Sequence, residues 1–244
     1  MIRYDVQQGS PEWITLRLGI PTASRFGPIL AKARGLSRGG DVTLLYELLV
    51  EYFLGAPYDP FASGFVGRGS KMEKRAFAQY EWDHDLLIDH PGFITNDAGT
   101  WGCSPDGFVG DEGMIEIKCL GAKTHIAALL GRHDNHEAQI QGQLLVCERR
   151  WTDLFFYHPT LPTRSVRIER DDEIVADLER GLNDFGRRLF VAKETLLALG
   201  CVPHSEKARE PDAIEPRPFM LLAAVRDFAE PLFPITKPFN PNDV

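Results

Sequence analysis

No stretch of this sequence approaches the roughly 18 consecutive apolar residues that a membrane-spanning helix needs, so an integral helical membrane protein is excluded. The first residues, Met1-Ile2-Arg3-Tyr4-Asp5, lack the apolar centre of a signal peptide, and no secretory leader is expected. Cysteine is sparse. Cys103, Cys119, Cys147 and Cys201 show no C-x-x-C spacing, which fits reduced thiols in a cytoplasmic protein. Cys103 and Cys119 come near each other if they face across a hairpin, with buried free thiols as the expected state. Excess positive charge is also missing. The 27 basic residues stand against 35 acidic ones, a net charge of −8, which excludes a protein that coats nucleic acid by bulk electrostatics. An enzyme with a local basic groove remains open. There is no internal repeat.

What is present is one domain's worth of amphipathic pattern. At 244 residues the chain can bury a full core and still carry a tail. Residues 1–200 read as a single α/β domain, a central mixed sheet flanked by helices. Residues 201–244 read as a Pro-rich extension with a short helical run near 218–228, serving either as an oligomer contact or as a partly disordered tail. Ser10-Pro11-Glu12-Trp13 starts a helix, with Ser as N-cap and Pro in the first turn. Thr22 is expected to cap a second helix to about Ala33. Residues 41–54 form a third, others open at Ser70 and after Gly121-Ala122-Lys123-Thr124-His125 to about Leu130, and 137–148 form another, with Gln139 and Gln143 on one face. Residues 171–199 form a long amphipathic helix. Leu86 to Ile94 supplies a strand broken at Pro91-Gly92. Leu154-Phe155-Phe156-Tyr157, apolar throughout, is a central strand, and 164–168 is another.

The chemistry concentrates between Trp101 and Cys119. Two apolar-rich segments flank Gly110-Asp111-Glu112-Gly113, a hairpin signal. In the second strand Ile115, Ile117 and Cys119 face one way while Glu116 and Lys118 face the other, roughly 6.5 Å apart. Asp106 brings a second carboxylate, and two carboxylates together can hold a hard divalent cation. Strand parity sets a condition. A two-residue loop would pair Gly107 with Glu116 and turn Asp106 to the wrong side. The site therefore requires an odd-length connection, or a bulge at Gly107.

A Pro-Asp, a ten-residue step and then Glu-x-Lys resembles the PD-(D/E)xK nuclease signature. The run Leu16-Arg17-Leu18-Gly19, then Thr22-Ala23-Ser24, Ser104-Pro105-Asp106-Gly107, Glu116-Ile117-Lys118-Cys119 and Ala138-Gln139-Ile140-Gln141, in this order, resembles the phage lambda exonuclease and YqaJ-like viral recombinase family over about residues 8–195. The resemblance implies a restriction-endonuclease-like core and a 5′-to-3′ exonuclease on linear double-stranded DNA. It implies Mg²⁺, one or two ions, with Mn²⁺ as substitute, held by Asp106, Glu116 and the Ile117 carbonyl. Lys118 would position the attacking water and stabilise developing charge. Gln139 would bond the scissile strand or a metal water.

The resemblance also implies a 5′-phosphate pocket of Arg17, Ser24, Ser104 and Lys123, a ring-shaped homotrimer, and a single-strand annealing partner in a phage-infected or prophage-carrying bacterium. On its own Arg17 reads as a charge set against a helix dipole. Glu73 has two readings: an S-x-x-E capping box with Ser70, or the metal-site Glu that the resemblance places there. Phe65 and Val66 are either a wedge against the end base pair or simple packing. The loop 35–40, with Arg34 and Arg38, either touches DNA backbone or is merely solvated. His133 to His136 reads as a polar loop. The competing functions are a restriction- or repair-type endonuclease and a non-catalytic DNA-end-binding module.

Overall fold

The computed structural model describes residues 1–58, 66–132 and 136–204, without the side chains of 66–71. Two sheets carry the chain. The smaller runs β1 (Ile2–Tyr4), β2 (Phe93–Thr95) and β3 (Gly102–Cys103), all antiparallel. The larger runs β4 (Gly107–Val109), β5 (Gly113–Cys119), β6 (Trp151–Tyr157) and β7 (Arg164–Glu169). Only β5 and β6 are parallel, so the larger sheet is mixed. Their crossover carries α5 (Ala122–Leu129) and α6 (Glu137–Val146). Before the larger sheet come α1 (Pro11–Arg17), α2 (Gly27–Ala33), α3 (Gly40–Leu54) and α4 (Val66–His84), and α7 (Asp172–Ala198) closes the described chain.

Alternation along the strands decides which helices cover which face. Met114, Leu154 and Phe156 enter the main core with Phe26, Ile29, Leu45, Leu48, Leu182 and Phe185 from the helices. Ile115, Ile117, Phe155 and Tyr157 face the other way, against Ala76 and Tyr80 of α4. Strand β6 is therefore apolar on both faces because both are covered, as its composition requires. Strand β7 alternates half-buried and exposed. The face beneath α4 holds one buried charge: Asp153 accepts from the Tyr80 hydroxyl at 2.7 Å and from Arg167 at 2.9 Å through each oxygen. This pins α4 to the sheet. Two glycines permit close approach near the site. A Cβ on Gly142 would lie 2.4 Å from the Phe26 ring, and one on Gly107 2.1 Å from Ile88 Cγ2.

Several sequence expectations need correction. Helix α4 begins at Val66, so Ser70 lies inside it, and the capping-box explanation of Glu73 fails. Thr22 precedes only a short 3-10 turn, Ala23–Arg25, without capping it by its side chain; α2 starts afresh at Gly27, where Pro28 lacks the N–H to be satisfied. Of the segment 86–94 only the part after Gly92 becomes strand. Its first half contributes an isolated bridge, Asp89 to Phe108. The first hairpin segment is split between the two sheets, because Ser104-Pro105-Asp106 leaves one and enters the other. Cys103 lies beside Cys147, Sγ to Sγ 3.4 Å, rather than Cys119, and all four thiols are free. In the loop 35–40 and its flank, Arg34 pairs with Asp177 and Glu137, while Arg38 is exposed. Phe65, the side chain of Val66, His133 to Asn135 and the extension from 205 onward lie outside the described residues. Among those described, no helix is long and apolar enough to cross a membrane.

Candidate active site

The parity condition is met by loop length. Gly107 pairs with Ile115, Phe108 with Met114 and Val109 with Gly113, leaving Gly110, Asp111 and Glu112 as a three-residue connection. No bulge is needed. Gly110 adopts a φ of 56°, a left-handed turn conformation that glycine reaches without a steric penalty. Continuing the register by one residue sets Asp106 across from Glu116. Asp106 Oδ2 accepts the backbone N–H of Ile117 at 2.6 Å. A strand residue's N–H and C=O point toward the same neighbour, so the Ile117 carbonyl shares that edge with Asp106.

Glu116 is only 4 % exposed and fully engaged. Its Oε1 accepts from Lys118 Nζ at 2.8 Å and Gln139 Nε2 at 2.7 Å; its Oε2 accepts from Gln143 Nε2 at 2.8 Å. Lys118 Nζ also lies 3.5 Å from Gln139 Oε1. Gln143, which the sequence set on one face with Gln139 but gave no role, belongs to the site. The available signal was its place on the same α6 face as Gln139, one turn on. Because it is buried, Gln143→Leu is expected to leave Glu116 Oε2 without a donor and to cost about 1–3 kcal/mol of stability. The midpoint of urea unfolding in metal-free buffer checks this; an unchanged midpoint would mean the oxygen finds another donor.

Burial first, and the charge of Glu116 second, push the Asp106 carboxyl well above the usual carboxylate range, against the pull of the Ile117 N–H and Lys118. Glu73 is exposed on α4 and also raises Asp106. It acts in the same way on Cys119, whose thiol is pushed up to about 11 by burial, then by Glu73 and Asp106. Glu73 stands on α4, the helix that covers the sheet face opposite Glu116. Two crowded carboxylates, with a backbone carbonyl on the same edge, form a hard-oxygen donor set short of positive charge. This set suits a divalent cation such as Mg²⁺. As arranged here, Asp106 Oδ2 and both oxygens of Glu116 accept from protein donors, and no group of three or more His, Cys, Asp or Glu gathers as a metal cluster among the described residues.

Two residues before Asp106 stands a cationic pocket. Ser104 Oγ accepts from Arg17 Nη1 at 3.0 Å and from the Trp13 indole at 2.8 Å. Two donors on one hydroxyl oxygen leave its hydrogen free to point outward, toward an anion. The Arg17 guanidinium lies 4.0 Å from the Trp13 ring centre and 5.8 Å from that of Phe93. Burial lowers its pKa to about 10. Ser24 is exposed in the 3-10 turn, its Oγ 3.5 Å from Thr22 Oγ1. That turn is tied to β3 by the Thr22–Gly102 bridge. Arg25 anchors it to Glu47 and Glu51 of α3 at 2.7 Å each, and Glu51 also accepts the Gly19 N–H. Arg17, Ser24 and Ser104 are thus held on elements bound to one another. Lys123 is exposed in the first turn of α5 and makes no hydrogen bond or ion pair among the described residues.

Residues 12–150, more than half the chain, match the YqaJ-like viral recombinase domain. The chain belongs to the YqaJ-like viral recombinase family. Among solved structures it is similar to LHK-Exo, an alkaline exonuclease from Laribacter hongkongensis, at 31% identity and a TM-score of 0.69, over 78% of this chain and 98% of that one. The same values hold for LHK-Exo in complex with dAMP. A phage-related exonuclease from Haemophilus somnus 129PT shares the fold alone, at 13% identity and a TM-score of 0.54, over 69% of this chain and 92% of that one. No curated protein matches. The mixed α/β architecture expected from the sequence is that of the alkaline exonucleases, and the family is the one its motifs resemble.

Proposed function

We propose that this YqaJ-like chain is a divalent-metal-dependent exonuclease that digests the 5′ strand of linear double-stranded DNA and leaves a 3′ single-stranded overhang for annealing recombination. One observation carries the reading: Arg17 is hydrogen-bonded to Ser104, which stands two residues along the chain from Asp106 of the carboxylate pair. An anchor for a terminal phosphate beside a cation site is what stepwise removal of 5′ nucleotides requires.

Asp106, Glu116 and the Ile117 carbonyl would hold the cation, and Glu73 would act on it directly or through a water, as the family resemblance implies. Held there, a divalent cation (Mg²⁺, one ion or two, or Mn²⁺ as substitute) would supply Lewis-acid polarisation of the scissile phosphoryl group and a lowered pKa for the attacking water. Lys118, on the same face as Glu116, holds that water in line and stabilises the negative charge that grows on the phosphoryl oxygens. Gln139, half-buried and bonded to Glu116, has an amide oxygen facing Lys118 and can orient the water or the scissile strand. Arg17, Ser24 and Ser104 grip the 5′-phosphate, Arg17 through the planar fork that suits phosphate. Lys123 adds a point charge from α5. Residues 1–200 form the nuclease domain and 201–244 an extension. A cytoplasmic homotrimer that hands its overhang to a single-strand annealing protein completes the reading, as the family resemblance implies.

The test compares three substrates in Mg²⁺: linear duplex with 5′-phosphate, linear duplex with 5′-hydroxyl, and covalently closed circles. The expected result is release of 5′-mononucleotides from the first, slower release from the second and none from the third, all abolished by chelator. Cutting of circles would identify an endonuclease. Inertness of the wild-type chain toward all three, with end binding retained, would identify a binding module.

A further inference from the structure

The outward face of α3 carries no exposed charge. Beyond Gly40 its exposed residues are Thr43, Tyr46, Val50 and Leu54. Tyr46, Val50 and Leu54, at successive turns, are 55%, 37% and 61% exposed. All three acidic side chains of the helix are already engaged: Asp41 by Arg188 and Ser37, and Glu47 and Glu51 by Arg25. A helix that borders solvent ordinarily turns its charged residues outward. Here the charges are held inside or at the side, and the outer stripe is apolar.

The described chain ends against this helix. The His204 ring lies so close to Gly55, just past the end of α3, that a Cβ on Gly55 would sit 2.2 Å from His204 Cγ. Residues 205–244 leave from that point. Within them Leu221, Leu222, Val225 and Phe228 recur at helical spacing, with Arg226, Asp227 and Glu230 between and after them. The tether 205–218 can span about 45 Å when extended. The stripe from Tyr46 to Leu54 is about 12 Å long, matched by a helical segment of the length of 219–228. The alkaline exonuclease LHK-Exo is covered over 98% of its length by 78% of this chain, so about a fifth of this chain has no counterpart there.

We propose that residues 219–228 of the same chain dock their apolar face on the Tyr46–Val50–Leu54 stripe of α3. The occupant is the chain's own extension because the chain emerges at the foot of this stripe and carries the complementary pattern within reach. Docking braces the helix whose Glu47 and Glu51 hold Arg25 and the Gly19 N–H. The extension therefore supports the loop that presents Arg17 and Ser24.

A photoreactive benzophenone amino acid in place of Val50, in the full chain, tests the contact. Isotopically heavy and light protein are mixed, irradiated and digested, and the joined peptides are read by mass. The expected product joins position 50 to a peptide from 219–228, with both halves carrying one isotope label. Products joining heavy to light chains would put a second copy on the stripe and overturn the proposal. So would the absence of any product with 219–228. Independently, Tyr46→Asp leaves the extension's sequence intact but spoils its seat. Trypsin is expected to cut after Arg226 about tenfold faster in this variant, since cleavage follows the population of the open state, with the circular dichroism spectrum unchanged. Equal cleavage rates in variant and wild type would overturn the docking.

Discussion

Lys118→Ala is expected to lower kcat on 5′-phosphorylated linear duplex by about 10²–10³-fold, the usual cost of removing one preorganised transition-state donor, with KM little changed. The argument is geometric. Lys118 projects from β5 on the same face as Glu116, two residues away, and its Nζ is held at 2.8 Å from Glu116 Oε1 with Gln139 alongside. The side chain is 19% exposed, near enough to the surface to meet a phosphodiester and buried enough to be fixed in place. Its loss leaves Glu116 Oε1 with the Gln139 donor, so the carboxylate stays partnered and the fold is expected to survive. Lys118→Arg is not expected to rescue, because a planar fork cannot take the place of a compact ammonium in this space. Single-turnover kinetics with saturating enzyme isolate the chemical step, and end binding by fluorescence anisotropy in Ca²⁺ reports the ground state. A variant as fast as wild type in single turnover would remove Lys118 from the mechanism. A variant that fails to bind ends would move its role to the ground state.

The parts legible in the sequence were those set by local periodicity and parity. Ser10-Pro11 fixed the start of α1, with Ser10 accepting the Trp13 N–H, and Asp171 caps α7 through the N–H groups of Glu173 and Ile174. The two-residue period of β5 put Glu116 and Lys118 on one face. The need for an odd connection, met by Gly110-Asp111-Glu112, followed from counting alone. The parts that stayed hidden depend on contacts between segments far apart in the chain. Nothing local says that Ser104-Pro105-Asp106 passes from one sheet to another, which places the cationic pocket and the carboxylate pair at a single crossing. Nothing local distinguishes a capping Glu73 from one inside an ongoing helix, because S-x-x-E reads the same in both. Gln143 looked like any polar residue on a helix until α6 packed over β5, with Gly142 admitting the Phe26 ring.

Arg17→Ala is expected to erase the preference for phosphorylated ends. Loss of hydrogen bonds from a charged donor is worth about 1.5–3 kcal/mol, or about 10- to 100-fold in kcat/KM on the 5′-phosphorylated substrate. The 5′-hydroxyl substrate, which never used the pocket, should change far less, so the ratio of the two approaches one. Arg17→Lys should fall between, since an ammonium meets phosphate as a point charge. The environment of Arg17 sharpens the prediction. Burial lowers its pKa to about 10, from an ordinary value of 12.5. Where folding lowers the pKa of a base, the unfolded chain binds more protons between the two values, so charged Arg17 costs the fold stability below about pH 10 and that cost is relieved as pH rises through this window. Phosphate recognition runs the opposite way: it needs the charged guanidinium and should be fully present at neutral pH, then fade as pH climbs past about 10. A phosphate in the pocket favours the charged form and moves the fade upward. Competition between phosphorylated and unphosphorylated ends, measured across pH for wild type and Arg17→Lys, separates this loss from general alkaline unfolding. If the end preference of the wild type persists unchanged in Arg17→Ala, the 5′-phosphate is held by other residues, and the pocket beside Asp106 must serve a different phosphate of the strand.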